Sequence, residues 1–344
     1  GSGAITVNAD TIALSETANS VTTTGAITLQ PNTAGRPIVI GDAGAATDLA
    51  LSTAEIAALT DAASGITIGK ANSGAVTISA ITFNDPITIL GAAMTVTALE
   101  AAANNITLTS TSTIDELADN TTTDITTSGT LALTAVGGAI GASGASGALD
   151  LAVGTLQATT NAGGIFVLES SGLIVGGSGV QTTGGNAEIQ ITLTAGNLTL
   201  ADDITANGSG NVTLVLSAAD AQLITGDTND DIVSGSGDIS ITADVLTLVG
   251  GNITSTGGAL TLQPVSADDS VGISGGAGTF SLSTAEIDLL SNGFSLITIG
   301  RSDSTAAMTI NADTFLDPIT FQMGGVSGDI TTSGALVTAN LAMT

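Results

Sequence analysis

The sequence predicts an all-β chain, a parallel β-helix (solenoid) with short helical turns inserted, and three observations lead there. The chain repeats itself: Gly25-Ala26-Ile27-Thr28-Leu29-Gln30-Pro31 returns as Gly258-Ala259-Leu260-Thr261-Leu262-Gln263-Pro264, and Leu51-Ser52-Thr53-Ala54-Glu55-Ile56 returns as Leu282-Ser283-Thr284-Ala285-Glu286-Ile287. Such self-similarity marks a repeat architecture. Within each copy, short apolar-Thr-apolar segments alternate with Gly, Asn, Asp or Ser, the period-2 signal of strands separated by turns. Aromatics are 2% of the chain, all six of them Phe, against 45 Gly, so a core must be narrow and built from small and β-branched side chains.

Taken in order, Gly1 to Asp10 returns as Gly235 to Asp244 and opens the unit with a strand. Strand segments follow at 26–29, 66–68, 76–78, 87–89 and 106–108, then at 198–200, 212–214 and 308–310, each pointing two apolar residues inward and one Thr outward. Ser52-Thr53-Ala54-Glu55 and Ser283-Thr284-Ala285-Glu286 fit the capping-box pattern and predict one or two helical turns interrupting a coil. Asp85-Pro86 and Asp317-Pro318 put a residue that cannot donate to a ladder at a strand start, which marks a coil corner. Separators such as Gly184-Gly185-Asn186 are turn chemistry. Coils of about 20 to 25 residues would give roughly 15 turns and a rod of about 70 Å. The copies are offset by 231 to 234 residues, so the first unit spans 1–234 and a partial second copy, continuous with it, spans 235–344.

Composition excludes several classes. A formal net charge of -28, from 31 acidic residues against Arg36, Lys70 and Arg301, repels nucleic acid and anionic lipid and attracts cations. The apolar content of 43% is far from that of disordered chains. No apolar run reaches the roughly 18 residues of a membrane span, and the first segment lacks the basic region of a signal peptide. Without Cys or His there is no disulfide, no thiolate chemistry and no base to activate a Ser or Thr.

The metal candidate is Asp227-Thr228-Asn229-Asp230-Asp231, where Asp227, Asn229 and Asp231 match the first ligand positions of a calcium loop and Asp238 falls at the twelfth. Ile232 stands where the loop needs Gly, and Asp238 is shorter than the usual Glu, so a solvated acidic turn competes with Ca²⁺ binding. Asp202-Asp203 and Asp268-Asp269 are paired carboxylates of the kind glycoside hydrolases use, but turn sequence surrounds them without aromatics or bases to hold a sugar. Lys70 and Arg301 occupy equivalent places after Ile-Thr-Ile-Gly, and an ion pair with an Asp on a neighbouring coil is expected. Outward Thr ladders also raise ice binding as an alternative.

Segments such as Asp124-Ile125-Thr126-Thr127-Ser128-Gly129-Thr130-Leu131, Gly251-Asn252-Ile253-Thr254-Ser255-Thr256-Gly257-Gly258 and Asp329-Ile330-Thr331-Thr332-Ser333-Gly334 resemble repeats of filamentous haemagglutinin-like bacterial surface proteins. The resemblance implies a right-handed coil, secretion to the bacterial cell surface, and use as an extracellular fibre or adhesin shaft, with a host or neighbouring-cell surface or carbohydrate as partner. The reading is a structural, non-enzymatic segment. Both ends read as strand without a polar cap, so the terminal coils are expected to stack on another solenoid segment, covalently continuous or from a second subunit. Calcium- or ice-binding modules and a carbohydrate-active β-helix are the alternatives.

Overall fold

The computed structural model describes residues 1–15, 17–324 and 329–344. The chain is a parallel β-solenoid, as the apolar-Thr-apolar pattern predicts, and divides into two compact units, 1–170 and 171–344. Spatial contacts set that division, whereas the repeat near residue 234 is a feature of sequence.

In the first unit one face stacks Ile5, Ile27, Ile66, Ile87, Ile106, Leu131 and Leu156 in parallel register. A second face stacks Ile81, Leu99, Ile125 and Leu151, and a third Ile38, Val76, Met94, Ile114, Ile140 and Ile165. The second unit repeats the scheme, with Leu173, Leu198, Leu223 and Leu246 on one face and Val180, Ile204, Ile232 and Ile253 on another. Its longest ladder runs Ile189, Val212, Ile239, Leu260, Ile297, Ile319 and Leu341.

Alternation explains why register is so uniform. In the strand Ile106–Ser110 the residues Ile106, Leu108 and Ser110 are buried while Thr107 and Thr109 face outward. A slip of one residue would put every Thr in the core, so burial on one side fixes the pairing. Like side chains therefore lie on like, and aliphatic stacks fill the interior.

Hydroxyls make the corners. Thr127 Oγ1 donates to the Asn104 carbonyl one coil back at 2.6 Å and accepts from Gly129 N at 2.9 Å. Ser234 and Ser255 do the same with the Gly210 and Gly237 carbonyls and the Gly237 and Gly258 amides. Each hydroxyl satisfies an acceptor and a donor that the bend would otherwise strand, which is the condition for burying it.

Both helical turns form, α1 at Thr53–Ala57 and α2 at Thr284–Ile287, each with its complete capping box. The capping glutamates have a second role that the local pattern did not reveal. Glu55 Oε1 accepts from Leu14 N and Glu286 Oε1 from Leu248 N, both at 3.2 Å, so each ties its turn to the preceding coil. The Asp-Pro corners also hold. Asp317 accepts from Gly293 N and Phe294 N, and Asp85 occupies the same position against Ala62 and Ala63.

Just before each helical turn the chain departs from simple coiling. The strand Leu49–Ser52 pairs with Ile38–Gly41 on the side opposite Val76–Ile78, so it lies one step backward in the stack. Phe280–Leu282 lies backward of Val271–Ile273 in the same way. Among the described residues no helix is long and apolar enough to cross a membrane.

Candidate functional sites

The residues proposed from sequence as a calcium loop are used as turn and ladder acceptors. Asp227 is exposed, and its carboxylate accepts from Asn229 N at 2.7 Å. Asp231 accepts from the amide and side chain of Asn252 on the next coil, while Asp238 accepts from Ala259 N at 2.7 Å. The buried carboxylate of the segment is Asp230, which takes the amides of Gly226 and Asp227. Among the described residues, Asp227, Asp231 and Asp238 belong to no group of three acidic side chains close enough to share an ion.

One such group does exist, in the first unit, at Glu116, Asp124 and Asp150, with one oxygen from each within 4.8 Å of the others. Topology assembles it. Glu116 ends the strand Ile114–Glu116, Asp124 immediately precedes Ile125–Ala135, and Asp150 is the second residue of Leu149–Thr160. Because Ile125 pairs with Leu151, Asp124 and Asp150 are neighbours on adjacent coils. The Asp150 amide donates to Asp124 Oδ2 at 3.1 Å, and the Asp124 amide donates to the Asp150 carbonyl at 2.8 Å.

All three side chains are buried, Glu116 at 6% exposure and the two aspartates at 3%. Burial, reinforced by the charges of Glu116, Asp150 and Asp115, pushes the Asp124 carboxyl up to about 7 against the pull of its hydrogen bond from Asp150 N. Burial alone raises Asp150 to about 6, and burial with acidic neighbours raises Glu116. Sequence reasoning passed over this group because its members are 8 and 26 residues apart. The available signal was the coil period: Asp124 and Asp150 are one coil apart in the register that aligns Ile125 with Leu151.

The cation position shared by the two copies does not carry the ion pair expected from sequence. Lys70 Nζ donates to the Asn32 carbonyl at 3.0 Å, and Arg301 Nη1 donates to the equivalent carbonyl of Val265 at 2.7 Å. Arg301 also pairs with Asp303, two residues along its own turn and not on a neighbouring coil. The shared function of the two cations is thus to satisfy a corner carbonyl of the adjacent coil, which a cation does with a charge-assisted hydrogen bond.

A groove lies beside each helical turn. The first has a volume of about 460 Å³ and is lined in part by Ile56, Leu59, Phe83 and Asp85; the second, of about 180 Å³, by their counterparts Ile287, Leu290, Phe315 and Asp317. The paired carboxylates at 202–203 and 268–269 lie outside both grooves. Comparisons of the chain with protein-family models, curated proteins and solved structures gave no match.

Proposed function

We infer that the chain is a structural, non-enzymatic segment of an extracellular β-solenoid fibre or adhesin shaft, whose coils associate by edge-on stacking with further coils. The observation that carries this reading is the uniform register, in which seven successive side chains from Ile5 to Leu156 align on one face. A coil whose strands pair in parallel with both neighbours is self-complementary, so any exposed coil edge is a template for another coil by strand addition. In the last described strands Val337, Leu341 and Met343 are exposed apolar side chains that a further coil would cover. The resemblance of the repeats to filamentous haemagglutinin-like proteins supports the extracellular placement.

Sedimentation and negative-stain imaging over a concentration series test the reading. End-to-end assemblies one solenoid wide are expected, and Leu341→Asp with Met343→Asp should shorten them. A chain that stays monomeric at every concentration would overturn the stacking reading.

A further inference from the structure

We propose that Glu116, Asp124 and Asp150 form a calcium site within the 1–170 unit. The reading is independent of the shaft function and rests on an unresolved charge. Neither oxygen of Asp150 has a hydrogen-bond partner, nor does Glu116 Oε1, although their side chains are 3% and 6% exposed. A buried carboxylate normally has a donor or a counter-ion, because desolvation of the bare charge is costly. Here the neighbouring charges are all acidic: the three carboxylates act on one another, with Asp115 and Asp119 adding to the field. The three cationic side chains are engaged elsewhere. Arg36 reaches the carbonyls of Ala46 and Asp48, Lys70 that of Asn32, and Arg301 those of Pro264 and Val265.

The donor set selects the cation. It contains only carboxylate oxygen, in a chain with no His and no Cys, which suits a hard ion over a transition metal. One oxygen from each of the three carboxylates lies within 4.8 Å of the others, close enough for all three to reach one calcium ion at about 2.4 Å. The Asp150 amide holds Asp124 in place, leaving both Asp150 oxygens and Glu116 Oε1 free to bind, with water completing the shell. Such an ion would tie the coil that carries Glu116 and Asp124 to the next one, which carries Asp150.

The test uses the full chain, stripped with EDTA and titrated with CaCl₂ by calorimetry, with thermal scans alongside. Expected are saturable binding at one ion per chain and a rise in Tm of about 5 °C at a hundredfold excess over Kd. Glu116→Gln with Asp150→Asn should abolish both effects while the metal-free variant stays as stable as the stripped wild type, since it has lost repelling charges. The single variants, each expected to weaken binding at least tenfold, keep the test decisive if the double variant does not fold. Asp227→Asn should leave binding unchanged. Absence of saturable binding, or binding that survives in the Glu116 and Asp150 variants and is lost with Asp227→Asn, overturns the proposal.

Discussion

The two backward strands solve one topological problem with different chemistry. In the first copy Ile38 pairs with Leu49, eleven residues on, and in the second Val271 pairs with Phe280, nine residues on. The same difference of two separates the coils that contain them, since Ile27 pairs with Ile66 but Leu260 with Ile297. All of the length variation is therefore in the crossing loop. The longer loop passes over Val39 and Ala50, where Gly44 approaches closely enough that a Cβ would lie 2.8 Å from that of Ala50. The shorter loop has no room for a side chain beneath it, and Gly272 replaces Val39, with Gly276 O only 2.1 Å from where a Cβ would stand.

The clamps differ too. Arg36 holds the long loop through the carbonyls of Ala46 and Asp48. In the second copy Asp269 stands at the equivalent position and, with Ser270, binds Thr279. The lesson is that the repeat preserves a path and a register, while the residues securing them can even reverse charge.

The largest effect should come from exchanging the residues under the loops. Gly272→Val forces a side chain into the backbone of Gly276 and should cost at least about 3 kcal/mol in denaturant unfolding, whereas Val39→Gly in the roomier copy should cost only about 1 kcal/mol. Equal losses would mean that loop length does not decide the difference. Next comes Phe294, 3% exposed in the second copy where the first has Ala63. Phe294→Ala should lose about 3 kcal/mol in denaturant unfolding. A loss below about 1 kcal/mol would show that the second copy does not depend on this ring for its packing.

A third measurement contrasts the units, because the buried carboxylate group in 1–170 has no counterpart in 171–344 among the described residues. With EDTA present, the folded values of about 7 and about 6 for Asp124 and Asp150 exceed the ordinary unfolded value near 3.9. Between those limits the folded state binds more protons, so stability falls as pH rises from about 4 to 7 and is greatest below that window. Hydrogen exchange should show the first unit weaker at pH 8 than at pH 5 by on the order of 2 kcal/mol, with a smaller change in the second. A smaller slope in the first unit than in the second would contradict the assignment.

Smaller effects follow at matched positions. Ser52→Ala and Ser283→Ala each remove an N-cap and should cost about 1 kcal/mol, equally in the two copies. Asp303→Asn, which breaks the surface pair with Arg301 but leaves its carbonyl contacts, should change stability by less than about 0.5 kcal/mol. A larger loss would make the ion pair, and not the carbonyl bridge, the reason for a cation there.

Much of the fold was legible because it is written in local alternation. Every apolar-Thr-apolar segment noted in the sequence lies on a strand, from Ile27–Gln30 to Met308–Ile310. Both capping boxes are complete for the same reason, since donor and acceptor are three residues apart. The backward strands were not legible. Leu49–Ser52 and Phe280–Leu282 have ordinary strand sequence, and which neighbour they pair with depends on the loop's path.

Long strands with internal bends were likewise hidden, as at Ile125–Ala135, where the register shifts between Thr127 and Thr130. The acidic group shows the limit most clearly. Alternation in Leu149-Asp150-Leu151 places the carboxylate opposite two core leucines, where solvent would be expected, yet Asp150 is buried. The calcium loop read at 227–238 followed ligand spacing along the chain, whereas the close carboxylates are spaced across coils.

The backward strand also bears on how such a chain can be made. A solenoid emerging from its amino end can set each new coil on the finished edge of the previous one, with every coil serving as mould for the next. Leu49–Ser52 breaks that order, because it must be laid on the earlier side of Ile38–Gly41 after that strand already exists. The vacancy it fills has to remain open until residue 52 has been delivered, and Phe280–Leu282 imposes the same wait. A stack grown from its amino end would therefore wait once in each unit, at a place followed by a capped helical turn whose glutamate reaches back to the coil before it.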